Sequence, residues 1–220
     1  MTFTATGGAE LEGRLFEAEG ATAGVVLAHM QPADQTSWFD YAETLADDGY
    51  QTLTFNFRGY CPGGDAGCSS GRTDPSVAWR DVQAAVRFLR STGVARVGVI
   101  GASLGGTAAL VAAAQPSSRV GAVATLSAPV SIAGLVATPE TLVAVTSAKL
   151  FVAGNGDATA AADAQSLYDL SVPPKRVEIL PSEDHGTELL EGNQGPNVRQ
   201  LLQTWLAQFL PVQAPARDEL

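Results

Sequence analysis

Short, nearly continuous apolar runs recur along this chain, and most are followed by a segment whose apolar residues repeat at helical spacing. Ala23–Ala28, Arg96–Gly101, Val120–Leu126 and Lys149–Ala153 are runs of this kind. A strand that stays apolar without alternating is buried on both faces, which points to a parallel sheet covered by helices. Gln51–Phe55 and Arg176–Leu180 also read as strands. Helices are predicted over Ser37–Asp48, from Pro75 until Gly93 ends it, over Leu104–Gln115, over Ala158–Leu170 and over Asn197–Leu210. The second of these has Asp74 as its cap and Pro75 as its first residue, and carries Val82, Ala85, Val86 and Leu89 at helical spacing. The last puts Val198, Leu201, Leu202, Trp205 and Phe209 on one face, read as core. Phe3–Thr6 and Leu11–Glu17 flank Gly7-Gly8 and read as a hairpin at one edge. The expected architecture is an α/β fold, a mainly parallel sheet with helices on both faces. At 220 residues the chain is expected to form one domain, 1–220.

A net charge of −10 excludes polyanionic partners such as nucleic acid or an anionic membrane surface. No stretch is long and apolar enough for a membrane span, and the N-terminal residues lack the basic-then-apolar pattern of a secretory signal. A cytoplasmic location is expected. Arg217–Leu220 has the look of an endoplasmic-reticulum retention tail and is read as chance. Cys61 and Cys68 lie in a loop, Arg58 to Asp74, that holds five glycines. In a reducing cytosol the preferred reading is two free thiols, with a local bridge as the alternative.

In open parallel sheets chemistry collects where strands end at their carboxyl edge. The strand Arg96–Ile100 ends in Gly101-Ala102-Ser103-Leu104-Gly105 and a helix follows. G-x-S-x-G between strand and helix forces the serine into a tight turn, and the new helix aims backbone N–H groups at it. Ser103 is therefore the candidate nucleophile. A serine hydroxyl needs a base, and the chain has only two histidines, His29 and His185. His185 follows the strand Arg176–Leu180 and is the candidate base; His29 is read as structural, shaping its own loop. The acid that orients the base is assigned to Asp157, just past Lys149–Ala153, where it also suits the N-cap of the next helix. Asp163 and Asp184 are poorer candidates. One oxyanion donor is expected to be the N–H of Leu104, the other that of Met30 or Gln31.

The G-x-S-x-G turn and the chain order Ser103, Asp157, His185 resemble the α/β-hydrolase family, and the likeness covers nearly the whole chain. It implies an eight-stranded sheet with its second strand antiparallel, and it places Arg58, in Phe57-Arg58-Gly59-Tyr60, as a loop anchor. Where many members read His-Gly after the third strand, this chain reads His29-Met30. The segment from Ser127 to Ala148 is too short for the helical cap of many relatives and is expected to hold one helix, Pro139–Thr146, leaving a shallow, open site. The resemblance is nearest to small lidless esterases and dienelactone-hydrolase-like proteins, although the dienelactone hydrolases use a cysteine where this chain has Ser103. The implied activity is cleavage of small carboxylic esters with no metal or organic cofactor, by a monomer or homodimer. A thioesterase, amidase or perhydrolase would use the same triad, and a non-catalytic binding protein would keep only the fold.

Overall fold

In the computed structural model, which describes residues 1–212, eight strands form one sheet. In chain order the strands are β1 (Thr2–Thr4), β2 (Glu10–Phe16), β3 (Ala23–Ala28), β4 (Gln51–Phe55), β5 (Arg96–Ala102), β6 (Ala122–Leu126), β7 (Ser131–Ile132), β8 (Leu135–Val136), β9 (Ala148–Gly154) and β10 (Lys175–Leu180). The helices are α1 (Phe39–Asp47), α2 (Ala78–Ser91), α3 (Leu104–Ala113), α4 (Pro139–Ala144), α5 (Ala158–Leu170) and α6 (Gly195–Phe209). The large sheet runs β1-β2-β4-β3-β5-β6-β9-β10. The hairpin partners β1 and β2 are antiparallel, β2 is antiparallel to β4, and every later neighbour is parallel. The eight strands and the antiparallel second strand are those the resemblance implies. The Arg217–Leu220 tail lies outside the described residues.

Every residue of β3, β6 and β9 is buried, because helices cover both faces. Side chains alternate across the sheet, and the core divides accordingly. Val26, Val99, Val123 and Phe151 pack against α2, α3 and α5, while Val25, Leu27, Ile100 and Val152 pack against α1 and α6. Trp205 belongs to the second layer, buried beside Val198, Leu202 and Leu206, so the last helix is core.

Two features depart from the sequence expectation. The segment between β6 and β9 holds α4, as expected, and also the small hairpin β7–β8, turned through Ala133 and Gly134 at φ 47° and 86°. Strands of two residues are too short to show alternation, so nothing in the sequence marked them. Cys61 and Cys68 are not free thiols: they form a disulfide. The loop folds back on itself, with Gly59 N–H donating to Ser70 O at 3.0 Å and Ser69 N–H to Tyr60 O at 2.8 Å. That pairing sets the two cysteines opposite each other. The spacing of 7 alone did not reveal it.

Arg58 ties this loop to α2. Its guanidinium grips the fully buried Asp81 carboxylate at 2.9 Å from Nε and 2.5 Å from Nη2, and its backbone N–H adds a bond of 3.0 Å. These bonds hold the guanidinium above its ordinary pKa, against the opposing effect of burial. Removing one partner of a buried pair leaves a charge without compensation. Arg58→Ala is therefore expected to cost about 3 kcal/mol, read as a lower urea midpoint at unchanged slope. Arg58→Lys should recover only part of it, since an ammonium lacks the two-pronged fork.

Candidate active site

The turn after β5 is built by close packing. A Cβ on Gly101 would sit 2.2 Å from Gly105 O, and one on Gly105 would sit 2.2 Å from Ala28 O. Only glycine lets α3 start hard against the ends of β3 and β5. Ser103 between them is driven to φ 47°, ψ −115°, a conformation that costs a non-glycine residue energy and is kept only where surrounding structure enforces it. Its N–H continues the sheet ladder, donating to Leu126 O at 2.8 Å. Ser103 is only 6% exposed, so it lies low in the turn. Among the described residues nothing is hydrogen-bonded to its hydroxyl.

The two loops after β9 and β10 are stitched together. Asn155 N–H donates to Leu180 O at 2.8 Å and Gly156 N–H to Ser182 O at 2.9 Å. This brings Asp157 to His185. The Asp157 Oδ2 atom lies 2.5 Å from His185 Nδ1, and Oδ1 accepts the Ala160 N–H at 3.1 Å, capping α5. The two readings of Asp157, helix cap and imidazole partner, are thus both satisfied, one by each oxygen. Partial burial pushes this carboxyl up, but the His185 and Ala160 hydrogen bonds and the His185 charge outweigh it and hold the pKa below the usual value. The start of α5 also favours the anion. Asp184, though adjacent to His185, turns away and accepts from Ser182 Oγ at 2.6 Å.

The loop after β3 carries His29, Met30 and Gln31. His29 is fully buried, with Nδ1–H donating to Met30 O at 2.8 Å and Nε2 accepting the Phe57 N–H at 3.2 Å. Both ring nitrogens are committed to backbone, and Phe57 and Tyr60 pack on the ring at 4.8 Å. Burial, only partly offset by the Met30 carbonyl, pushes its pKa down to about 4. His29 is thereby a neutral brace for the loop. Among the described residues neither the Met30 nor the Gln31 N–H has a hydrogen-bond acceptor, and the Leu104 N–H lies in the first turn of α3, where amides lack intrahelical partners. The Met30 side chain reaches the His185 loop, its Sδ accepting from Thr187 Oγ1 at 3.8 Å. Beside this loop lies an open depression of about 430 Å³ between Pro32 and Tyr60–Pro62. A larger one of about 590 Å³, bounded by Asn155, Gly156 and Pro181–Asp184, opens behind Asp157 and does not include Ser103 or His185. Among the described residues no three His, Cys, Asp or Glu side chains converge as a metal site, and no helix is long and apolar enough to cross a membrane.

Residues 25–167 match the family model for the alpha/beta hydrolase fold. Solved structures similar to this chain include an esterase from Pyrococcus furiosus (15% identity, TM-score 0.78, covering 95% of this chain and 89% of that one). A dienelactone hydrolase from Anabaena variabilis is similar at 24% identity and TM-score 0.77, over 95% of this chain and 96% of that one. An enol-lactonase from Burkholderia xenovorans is similar at 15% identity and TM-score 0.77, over 94% and 100%. No curated protein matches the sequence.

The buried neutral His29 gives acid unfolding a defined window. The unfolded chain takes up a proton near the ordinary value of 6.5, whereas the fold resists until about 4, so stability falls as pH drops through that interval. By pH 4.5 the loss from this one ring is roughly 2–3 kcal/mol. Urea titrations of His29→Gln at pH 7 and pH 4.5 should show a smaller fall than the parent chain, even where the variant starts less stable.

Proposed function

The chain belongs to the α/β-hydrolase family, and from that premise we propose that it is a serine hydrolase cleaving small carboxylic esters through an acyl-enzyme. The observation that carries this reading is the His185–Asp157 contact of 2.5 Å, made at the same edge of the sheet as the strained Ser103 turn. Neutral His185 accepts the Ser103 hydroxyl proton at Nε2 while Oγ bonds to the ester carbonyl carbon. The developing oxyanion is met by the Leu104 N–H and by that of Met30 or Gln31. As the tetrahedral species collapses, the C–O bond to the alcohol breaks and His185 returns the proton to the leaving alkoxide. Water then attacks the acyl-enzyme with His185 again as base, releasing the acid and Ser103. Asp157, kept ionised, fixes the imidazole tautomer with its proton on Nδ1 and stabilises the imidazolium when it forms.

Asp157 offers a sharp test, because it holds two partners with two oxygens. Asparagine caps helices about as well as aspartate but has one carbonyl oxygen and no charge. Asp157→Asn should leave Tm nearly unchanged while kcat falls roughly 10²- to 10⁴-fold. Ser103→Ala should lose roughly 10⁴-fold or more in kcat and should not label with a fluorophosphonate. Full ester turnover by Ser103→Ala would end this reading. Parallel assays on oxygen ester, thioester and amide substrates separate the esterase from its relatives in mechanism.

The small hairpin and α4 stand where a cap would be inserted, and a site without a cap offers little apolar wall to a long acyl chain. Among p-nitrophenyl esters the chain should therefore prefer acetate and butyrate, and kcat/KM should not rise with further methylenes, which stay in water and miss the ~0.8 kcal/mol of a fully buried one. Rising kcat/KM through long chains would contradict the open site.

A further inference from the structure

Among the described residues four non-glycine residues have positive φ, and two of them, Ser103 and Ser127, occupy equivalent places on neighbouring strands. Ala102 pairs with Leu126 and Leu126 with Val152, so each serine is the first residue past its strand. Each continues the ladder by the same step: Ser103 N–H donates to Leu126 O, and Ser127 N–H to Val152 O, both at 2.8 Å. Ser127 sits at φ 54° and is 1% exposed. Serine is not a residue that a buried left-handed turn selects for itself; glycine or asparagine fits better. What serine supplies here is its hydroxyl. Ser127 Oγ accepts the Gly186 N–H at 3.0 Å, across 59 residues of chain, and Gly186 directly follows His185.

The neighbourhood leaves that amide little other choice. Gly186 is itself at φ 59°, and a Cβ there would lie 2.4 Å from Met30 Sδ and 3.4 Å from Ala102 Cβ. On the other side, His185 N–H donates to Glu188 Oε2 at 3.2 Å and the ring is held by Asp157. The backbone at His185–Gly186 is thus clamped from two directions, outward by Glu188 and downward by Ser127. Asp157 holds the ring at Nδ1 only, and one bond leaves the ring free to shift about it. We propose that Ser127 is a positioning residue whose hydroxyl, through the Gly186 N–H, sets the height of the His185 imidazole over Ser103. This rests on the serine-hydrolase reading above. Ser127 touches no reacting atom and moves no proton.

The test compares Ser127→Gly, which removes the hydroxyl and relaxes the backbone, with Ser127→Ala, which removes the hydroxyl and keeps the strain. Both should lower kcat by about 10- to 100-fold with KM within about twofold, although the glycine variant should be the more stable of the two. With only two histidines in the chain, the His185 ring is read directly by proton and nitrogen NMR. Its Nδ1–H resonance, far downfield while it is held by Asp157, should shift or broaden in both variants. Unaltered kcat in Ser127→Gly, or an unchanged His185 resonance whatever the rate, would overturn the proposal and leave the hydroxyl as a filler of one amide. Should Ser103→Ala keep full turnover, the hydrolase reading fails, and the NMR comparison still reports whether Ser127 holds His185.

Discussion

The parallel ladder does not stop where the strands stop. Ser103 N–H reaches Leu126 O, Ser127 N–H reaches Val152 O, and Asn155 N–H reaches Leu180 O, each at 2.8 Å. Three consecutive neighbours, β5 to β6, β6 to β9 and β9 to β10, are therefore locked for one residue beyond the sheet proper. Those residues begin the loops that carry the serine turn, the Gly186 clamp and Asp157. A loop whose first residue is fixed by a backbone bond inherits the sheet's precision, which a loop free from its strand's last residue would not have. A short, buried, evenly spaced ladder is thus the constraint from which the site geometry follows.

Asp157 shows how such a frame lets one side chain serve two ends. As a helix cap it is an ordinary residue in an ordinary place, and its carboxylate is oriented by the α5 amide it must satisfy. That orientation turns the second oxygen toward His185. A cap bond fixes the carboxylate before any substrate arrives, so the histidine partner need not be ordered separately. Pre-set geometry of this kind is worth more than an additional contact, because it removes ordering that would otherwise fall in the transition state.

Much of the fold was legible, since what specifies it is local. Apolar runs bounded by glycine, proline and aspartate gave β3, β4 and α5 to the residue, and the order of Ser103, Asp157 and His185 followed from which strand each one trails. What stayed hidden depends on contacts across the chain. Arg58 could be read as an anchor, but its partner Asp81 was not visible, because an acidic residue in the first turn of a helix normally faces water. The Cys61–Cys68 bridge needed the fold-back at Tyr60 and Ser69, which no spacing encodes. Ser127 carried no signal at all: its meaning lies in an amide 59 positions away.

Met30 links two loops. The family's commoner glycine at this position would leave the loop after β3 free of the histidine; here a thioether spans the gap, its sulfur above Gly186 and its acceptor filled by Thr187. Displacing the loop of His185 therefore displaces the Met30 side chain. Thioether packing is soft and adaptable, so the link transmits position without a rigid hydrogen bond. It also binds two sequence positions together: with methionine at 30, a Cβ at position 186 would push the thioether aside, and the left-handed turn there already favours glycine. Backbone conformation and side-chain packing thus favour the same residue there, and one contact joins the loop after β3 to the loop that carries His185.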